Sequence, residues 1–230
     1  MIGVAFVFAG WLIGCVIYGY VHRFAFRLSQ EIHVAYIEIY PENPPHFAPE
    51  KSILTPMKTK IPQPYYSLFF ALLFALCYWL NEDIFTAICW ACFCSLLFAI
   101  SVVDGYYRLI SPALCQNLFA LGLGAAYWQI TPLTLEQSLQ SAVIFFAVFS
   151  LIYYGAKWYY KQEAFGRGDC WLALGLGTFF SYEQLPAFLL LACLSGLVYA
   201  LYDKLNKRHL TTIPFGPFLS LSGVLCRLLN

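Results

Sequence analysis

The sequence predicts an all-α fold, a polytopic transmembrane bundle of about eight helices. Three observations lead to it. The chain has 230 residues, 61% of them hydrophobic and only 11% charged, whereas soluble domains carry about 25% charged residues. The apolar residues gather into runs of spanning or near-spanning length. The basic residues crowd into alternate connections between those runs.

Eight apolar segments follow in order: about Ile2–Val21, Tyr65–Leu80, Ile84–Val103, Ala113–Ile130, Leu139–Tyr154, Asp169–Tyr182, Leu185–Tyr202 and Ile213–Leu229. The first has no basic residue before it and no small-residue cleavage pattern after it, so it reads as a retained anchor and not a signal peptide. The sixth is the shortest. Nine cysteines lie mostly inside apolar runs, where cysteine behaves as a small hydrophobe. Cys89 and Cys92, with Cys94, form a Cys-x-x-Cys in mid-segment without a second pair or a nearby histidine. Helix packing accounts for them better than metal does. The four histidines are scattered through loops without ligand spacing.

Charge placement sets the expected orientation. Arg23, Arg27, Lys51, Lys58 and Lys60 follow segment one, and Arg108 follows segment three. Lys157, Lys161 and Arg167 follow segment five, and Lys204, Lys207 and Arg208 follow segment seven. The alternate connections hold no lysine or arginine. Twelve of the thirteen basic residues thus share one side, cytoplasmic by the positive-inside rule, with both termini on the other. Tyr106, Tyr107 and Trp158-Tyr159-Tyr160 read as interfacial aromatics. No nucleic-acid partner is expected; the lipid bilayer is.

The connection from 22 to 64 is the one long loop. It is proline-rich in its middle (Pro41, Pro44, Pro45), and Ile32–Tyr40 alternates like a strand. The division expected is a first transmembrane helix with a reduced cytoplasmic loop, residues 1–64, followed by a seven-helix core, residues 65–230.

Two acids carry the chemistry. Asp104 ends segment three, and Asp169 begins segment six after Gly166-Arg167-Gly168. Both fall at the same membrane face. Ionisable groups at membrane depth are costly and mark function. Two carboxylates held close cannot both ionise freely; one keeps a proton while the other acts as a base on water. Each could equally cap or terminate its helix. Gly166 and Gly168 are expected to supply positive-φ backbone and close approach.

Gly166-Arg167-Gly168-Asp169 resembles the Gly-x-Gly-Asp signature of intramembrane aspartic proteases, and its flanks resemble the type IV prepilin leader peptidases. Asp104, 65 residues earlier, suits that family's first aspartate. Ile213-Pro214-Phe215-Gly216-Pro217-Phe218-Leu219 resembles the family's Ile-Pro-Phe-Gly-Pro-Phe-Leu stretch. Gly14 through Arg23 is similar to its Gly-Ser-Phe-Leu-Asn-Val-Val-Ile-Tyr-Arg segment. The resemblance implies that Asp104 and Asp169 are catalytic and that Gly166, Gly168, Pro214, Gly216 and Pro217 support the motifs or the substrate.

Departures from the pattern matter as well. Ser111-Pro112 stands where members commonly have Pro-Asp, and Trp171 where many have lysine. Bifunctional members hold zinc on two Cys-x-x-Cys pairs in the first cytoplasmic loop; residues 22–64 contain no cysteine. The resemblance then implies no metal here, no cofactor for proteolysis, and S-adenosylmethionine only if methyl transfer were retained. The expectation is an aspartic endopeptidase of the bacterial inner membrane, removing leaders from type IV prepilins or pseudopilins at the cytoplasmic face. The competing readings are a Gly-x-Gly-Asp protease with other clients and a non-catalytic assembly factor or carrier. A carrier should keep polar groups near the midplane.

Overall fold

A computed structural model of the protein describes residues 1–42, 46, 54, 57, 61–161, 166–206 and 213–229. Pro44, Pro45, Lys51, Lys58, Lys60, Lys207 and Arg208 lie outside the described residues. Those described form eight α-helices and no strand: α1 Ile2–Ile39, α2 Gln63–Leu80, α3 Ile84–Tyr107, α4 Pro112–Tyr127, α5 Leu135–Tyr160, α6 Arg167–Gly177, α7 Leu185–Leu205 and α8 Gly216–Leu229. A 3₁₀ turn, Tyr182–Gln184, precedes α7. Five of the helices, α1, α2, α3, α5 and α7, are long and apolar enough to cross a membrane. The protein is a multi-pass membrane protein.

The chain divides into two compact units, Met1–Leu76 and Cys77–Asn230. In the first, α1 packs on α2 through small residues. A methyl group on Gly14 would lie 2.6 Å from the Ser67 Cα, and one on Gly10 would strike the Phe70 carbonyl. Such close approach is how apolar helices associate where burial alone offers no driving force. Cys15 Sγ and Ser67 Oγ, 3.3 Å apart, and the edge-on rings of Tyr18 and Tyr66 extend the seam.

The strand-like reading of Ile32–Tyr40 is overturned, because α1 runs on through Ile39. No glycine or proline interrupts Tyr20 to Tyr40, and extending an existing helix avoids the cost of nucleating one. At 1.5 Å per residue α1 is about 57 Å long, nearly twice the hydrocarbon thickness. Its second half therefore leaves the membrane as helix, with Ile32, Val34, Tyr36 and Ile39 exposed.

The second unit is built around α6. This helix packs against α4, α5 and α8, while α3 packs on α4 and α8, and α7 on α8. Leu172, Ala173 and Leu176 of α6 are fully buried. Eleven residues reach only about 16 Å, so α6 ends inside the bundle. Chain ends at that depth survive only if their polar groups are bonded within the protein. Here α5 does this: Ser138 Oγ donates to the Thr178 carbonyl at 2.8 Å, and Ser141 Oγ accepts the Tyr182 amide at 3.0 Å.

Local signals account for the remaining boundaries. Asp83 caps α3 by accepting the Thr86 amide at 2.8 Å, and that bond holds its carboxyl below the usual carboxylate range. Thr134 and Gln137 form a reciprocal capping box on α5. Pro112 opens α4, where its missing N–H costs nothing.

Candidate active site

Asp104 lies in the last turn of α3, and Asp169 in the first turn of α6. Each is only 5% exposed. The two carboxylates are near enough to interact electrostatically. The fold thus brings together, within the second unit, two acids far apart in sequence.

Backbone amides from two helix starts meet these acids. Gly216, the first residue of α8, donates its N–H to Asp104 Oδ2 at 2.9 Å. The Gly166 N–H bonds the Asp169 carboxylate. Since Gly166 is the N-cap of α6 and Asp169 its third residue, this is one half of a capping box. Asp104 stands at the C-terminal end of its own helix, where the dipole disfavours an acid. The N-terminus of α8, packed against it, offers unpaired N–H groups and the opposite end of a dipole. The sequence reading had no means of pairing α8 with α3 in this way.

Asp169 Oδ1 is buried and accepts no hydrogen bond among the described residues. Buried polar atoms are nearly always bonded, so an orphan calls for an explanation.

The positive-φ half of the expectation for the glycines is overturned. No described glycine has a positive φ, and Gly166 sits at φ −78°. Absence of a Cβ is what the site uses. A methyl on Gly168 would lie 2.7 Å from the Ile110 Cβ, and one on Gly166 would lie 2.9 Å from Asp169 Oδ2. Gly216 faces Asp104 in the same manner, its hypothetical methyl 2.7 Å from Oδ2.

Ile110 was not singled out by the sequence reading. It belongs to the tight link between α3 and α4, which Arg108 turns at φ 55°. Its branched side chain abuts Gly168 and so keys that link to the start of α6. Cys115, in the first turns of α4, lies within range of the Asp169 charge. Pro214 and Pro217 flank Gly216, both half-buried. Phe215 carries the first carbonyl of α8, accepting Phe218 and Leu219 amides, and Pro217 occupies the first turn where no N–H is needed. The two prolines thereby fix where α8 begins, and with it the Gly216 amide.

Arg167 is anchored as well as basic: its Nε donates to Tyr153 OH at 2.9 Å. Trp171 is 47% exposed and touches the Phe146 ring of α5. Cys89 is buried on α3, and Cys92 and Cys94 are half-buried there. No group of three potential metal ligands occurs among the described residues.

Comparison with known proteins identifies the family. The model of the type IV leader peptidase family matches residues 91–201, a span that includes both aspartates. A prepilin leader peptidase/N-methyltransferase of Haemophilus influenzae is 39% identical over 218 residues, covering 94% of this chain and 92% of that protein. A type 4 prepilin-like proteins leader peptide-processing enzyme of Escherichia coli is 36% identical over 128 residues, covering 56% of this chain and 46% of its own length. The leader peptidase HopD of Salmonella typhimurium is 33% identical over 104 residues, covering 44% and 67% respectively. No solved structure matches the chain. With its aspartates inside the matched span and the first of these relatives aligned almost end to end, the chain belongs to the type IV leader peptidase family.

Proposed function

We propose that the protein is a membrane aspartic endopeptidase that cleaves the leader peptide from type IV prepilins or pseudopilins, with Asp104 and Asp169 as its catalytic pair. The observation that carries the assignment is the meeting of two almost fully buried carboxylates, each bonded by the amide of a helix start. Residues 65–230 supply the peptidase core, and residues 1–64 the first helix and the reduced loop.

The reaction needs a proton acceptor for water and a proton donor for the scissile carbonyl. Two carboxylates sharing one proton provide both. The ionised member removes a proton from water as its oxygen attacks the carbonyl carbon, and the protonated member gives its proton to the carbonyl oxygen. Collapse of the resulting diol breaks the C–N bond: the proton taken from water passes to the leaving nitrogen, and a diol hydroxyl returns a proton to the carboxylate that had given one, restoring the pair. Asp169 Oδ1, unclaimed by the described protein groups, is the acceptor available to that water. The amides of Gly216 and Gly166 keep the carboxylates oriented, while Gly168, Pro214 and Pro217 hold the helix starts in place.

The membrane is the bacterial inner membrane and the site faces the cytoplasm; the one-sided distribution of lysine and arginine supports that orientation. Proteolysis by this pair uses no cofactor. With no cysteine in 22–64, the loop has no thiolate set for structural zinc, and methyl transfer from S-adenosylmethionine is weak or absent.

The test is cleavage of a purified prepilin. Asp104→Asn and Asp169→Asn should each abolish processing while the protein still accumulates in the membrane. Residues acting as one unit are non-additive, so the double variant should match either single one. Substantial processing by Asp104→Asn would remove it from the pair.

A further inference from the structure

Arg227 is the thirteenth basic residue, the one left off the crowded side in the charge count. It sits in the last turn of α8, with its guanidinium 4.5 Å from the centroid of the Trp90 ring and bonded to Asn81 Oδ1 at 3.4 Å. Among the described residues it has no acidic partner. Half-buried and unneutralised, it borders a cavity of about 270 Å³.

The rest of the lining has a consistent chemistry. Trp90, Leu133, Phe179 and Phe180 form an apolar wall, and no described lining residue is a carboxylate. Thr86, Ser181 and Gln184 complete the polar side; the Thr86 hydroxyl donates to the Asp83 carboxylate at 3.0 Å, and the Gln184 carbonyl is occupied. Gln184 Oε1 accepts the Ser181 amide at 3.2 Å, and the Gln184 amide donates to the Ser181 carbonyl at 3.0 Å. The groups left to donate are the serine O–H, the glutamine NH₂ and the guanidinium fork. A donor set with one full positive charge and no carboxylate in its own lining is complementary to an anion, and a fork of this kind suits phosphate.

Depth narrows the source. The cavity lies at the Thr86 and Trp90 end of α3, and Asp104 at the other. At 1.5 Å per residue Asp104 is about 21 Å from Trp90 and about 27 Å from Thr86, the latter close to the thickness of a hydrocarbon core. Along antiparallel α8 the corresponding separation is about 17 Å, from Gly216 on Asp104 to Arg227 on Trp90, and the connections after α4 and after α6 line the same end of the cavity. The donors thus lie at the end of the unit remote from the aspartates, where a side chain as long as arginine reaches up to the headgroups of the opposite leaflet from below their level. An apolar wall beside them accommodates the glycerol and first methylenes of a chain.

We propose that this cavity binds the headgroup phosphate of a phospholipid in the leaflet opposite the catalytic pair, with Arg227, Ser181 and Gln184 as the phosphate donors. The bound lipid would tie the start of α3, the turn after α6 and the end of α8 together at the end remote from the chemistry. This inference is independent of the proposed reaction.

The experiment is native mass spectrometry of the full-length protein in detergent. Phosphatidylglycerol and a diacylglycerol with the same acyl chains are added in parallel. Wild type should retain phosphatidylglycerol about tenfold better than Arg227→Gln does, the loss expected for one charge-assisted contact. Arg227→Lys should recover part of the difference, and diacylglycerol should bind all forms equally weakly. Ser181→Ala combined with Gln184→Ala leaves the Trp90 stack intact and should also reduce retention, so the test survives misfolding of the Arg227 variants. Equal retention of both lipids by wild type would overturn the proposal. So would inorganic phosphate that displaces the lipid at millimolar concentration and itself depends on Arg227, since the source would then be free phosphate.

Discussion

Replacing Gly216 by alanine tests whether the amide at the start of α8 is part of the catalytic apparatus. The new methyl would lie 2.7 Å from Asp104 Oδ2 and 3.1 Å from its Cγ. Gly216 has no positive φ, so the backbone accepts alanine, and helix propensity alone would favour the change by about 1 kcal/mol. The contact therefore decides the sign. Asp104 is almost fully buried, and turning its carboxylate away breaks the 2.9 Å bond from the Gly216 amide. A hydrogen bond to a charged group contributes about 1.5–3 kcal/mol. If all of that is lost in the transition state, kcat/KM for prepilin cleavage falls by about 10- to 150-fold. Gly155→Ala is the matched control, because nothing lies within 4 Å of its hypothetical methyl. It should cleave like wild type. The assay follows the shortening of purified prepilin on a gel, with thermal unfolding measured on the same preparations. A Gly216→Ala protein that cleaves within twofold of wild type would refute the reasoning, because the carboxylate would then tolerate displacement from its amide.

Further outcomes are expected elsewhere in the molecule. A single cysteine at Lys161, exposed at the end of α5, should react with an impermeant thiol reagent only from the cytoplasmic side. One at Glu136, exposed near the other end of the same helix, should react only from outside; reversed labelling would invert the orientation. Ser138→Ala leaves the buried Thr178 carbonyl without its donor and should destabilise the protein by about 1–3 kcal/mol, read as a lowered midpoint of thermal unfolding in detergent. Chelators should leave cleavage intact and purified protein should contain no stoichiometric zinc. Incubation with prepilin and S-adenosylmethionine should add little or no methyl to the new N-terminus, and efficient methylation by mass would show that the loop works without metal.

Much of the helical plan was legible because apolar runs interrupted by charge are a direct record of bilayer depth. Segments two, three, five and seven lie within helices whose ends differ by a few residues, and the differences have local causes. The long α5, for example, continues past Tyr154 because Gly155 and the aromatic residues beyond it do not break a helix. The aspartates were legible for the same reason, being carboxylates where the hydropathy leaves no room for solvated ones. What escaped the sequence were matters of tertiary contact. The helical continuation of α1 was hidden by an alternating pattern that mimics a strand. Gly166 and Gly168 were expected to combine positive-φ backbone with close approach; the first is absent, and the groups that approach them closely are Asp169 and Ile110 of the chain itself. Ile110 carries no chemistry of its own, and only its position against Gly168 gives it a part in the site. The partner of Asp104 is a backbone amide more than a hundred positions away, and amides carry no sequence signature.

The unequal helix lengths have a consequence for the lipid around the protein. α4 and α8, with 16 and 14 residues, reach about 24 and 21 Å, while α3 and α5, with 24 and 26, reach about 36 and 39 Å. A bilayer with a core of about 30 Å is matched by neither set. Where Tyr127, Trp128, Leu221 and Leu228 present their exposed faces, the acyl chains must shorten; where α5 presents Leu151 and Tyr154, the helix must tilt or protrude. The protein thus carries its own variation of hydrophobic mismatch, with lipid thinned beside its short helices, at a cost of fractions of a kcal/mol per Å. Beside those helices a hydrophobic client helix would displace the most strained lipid, and lipids with shorter chains would relieve the strain in advance.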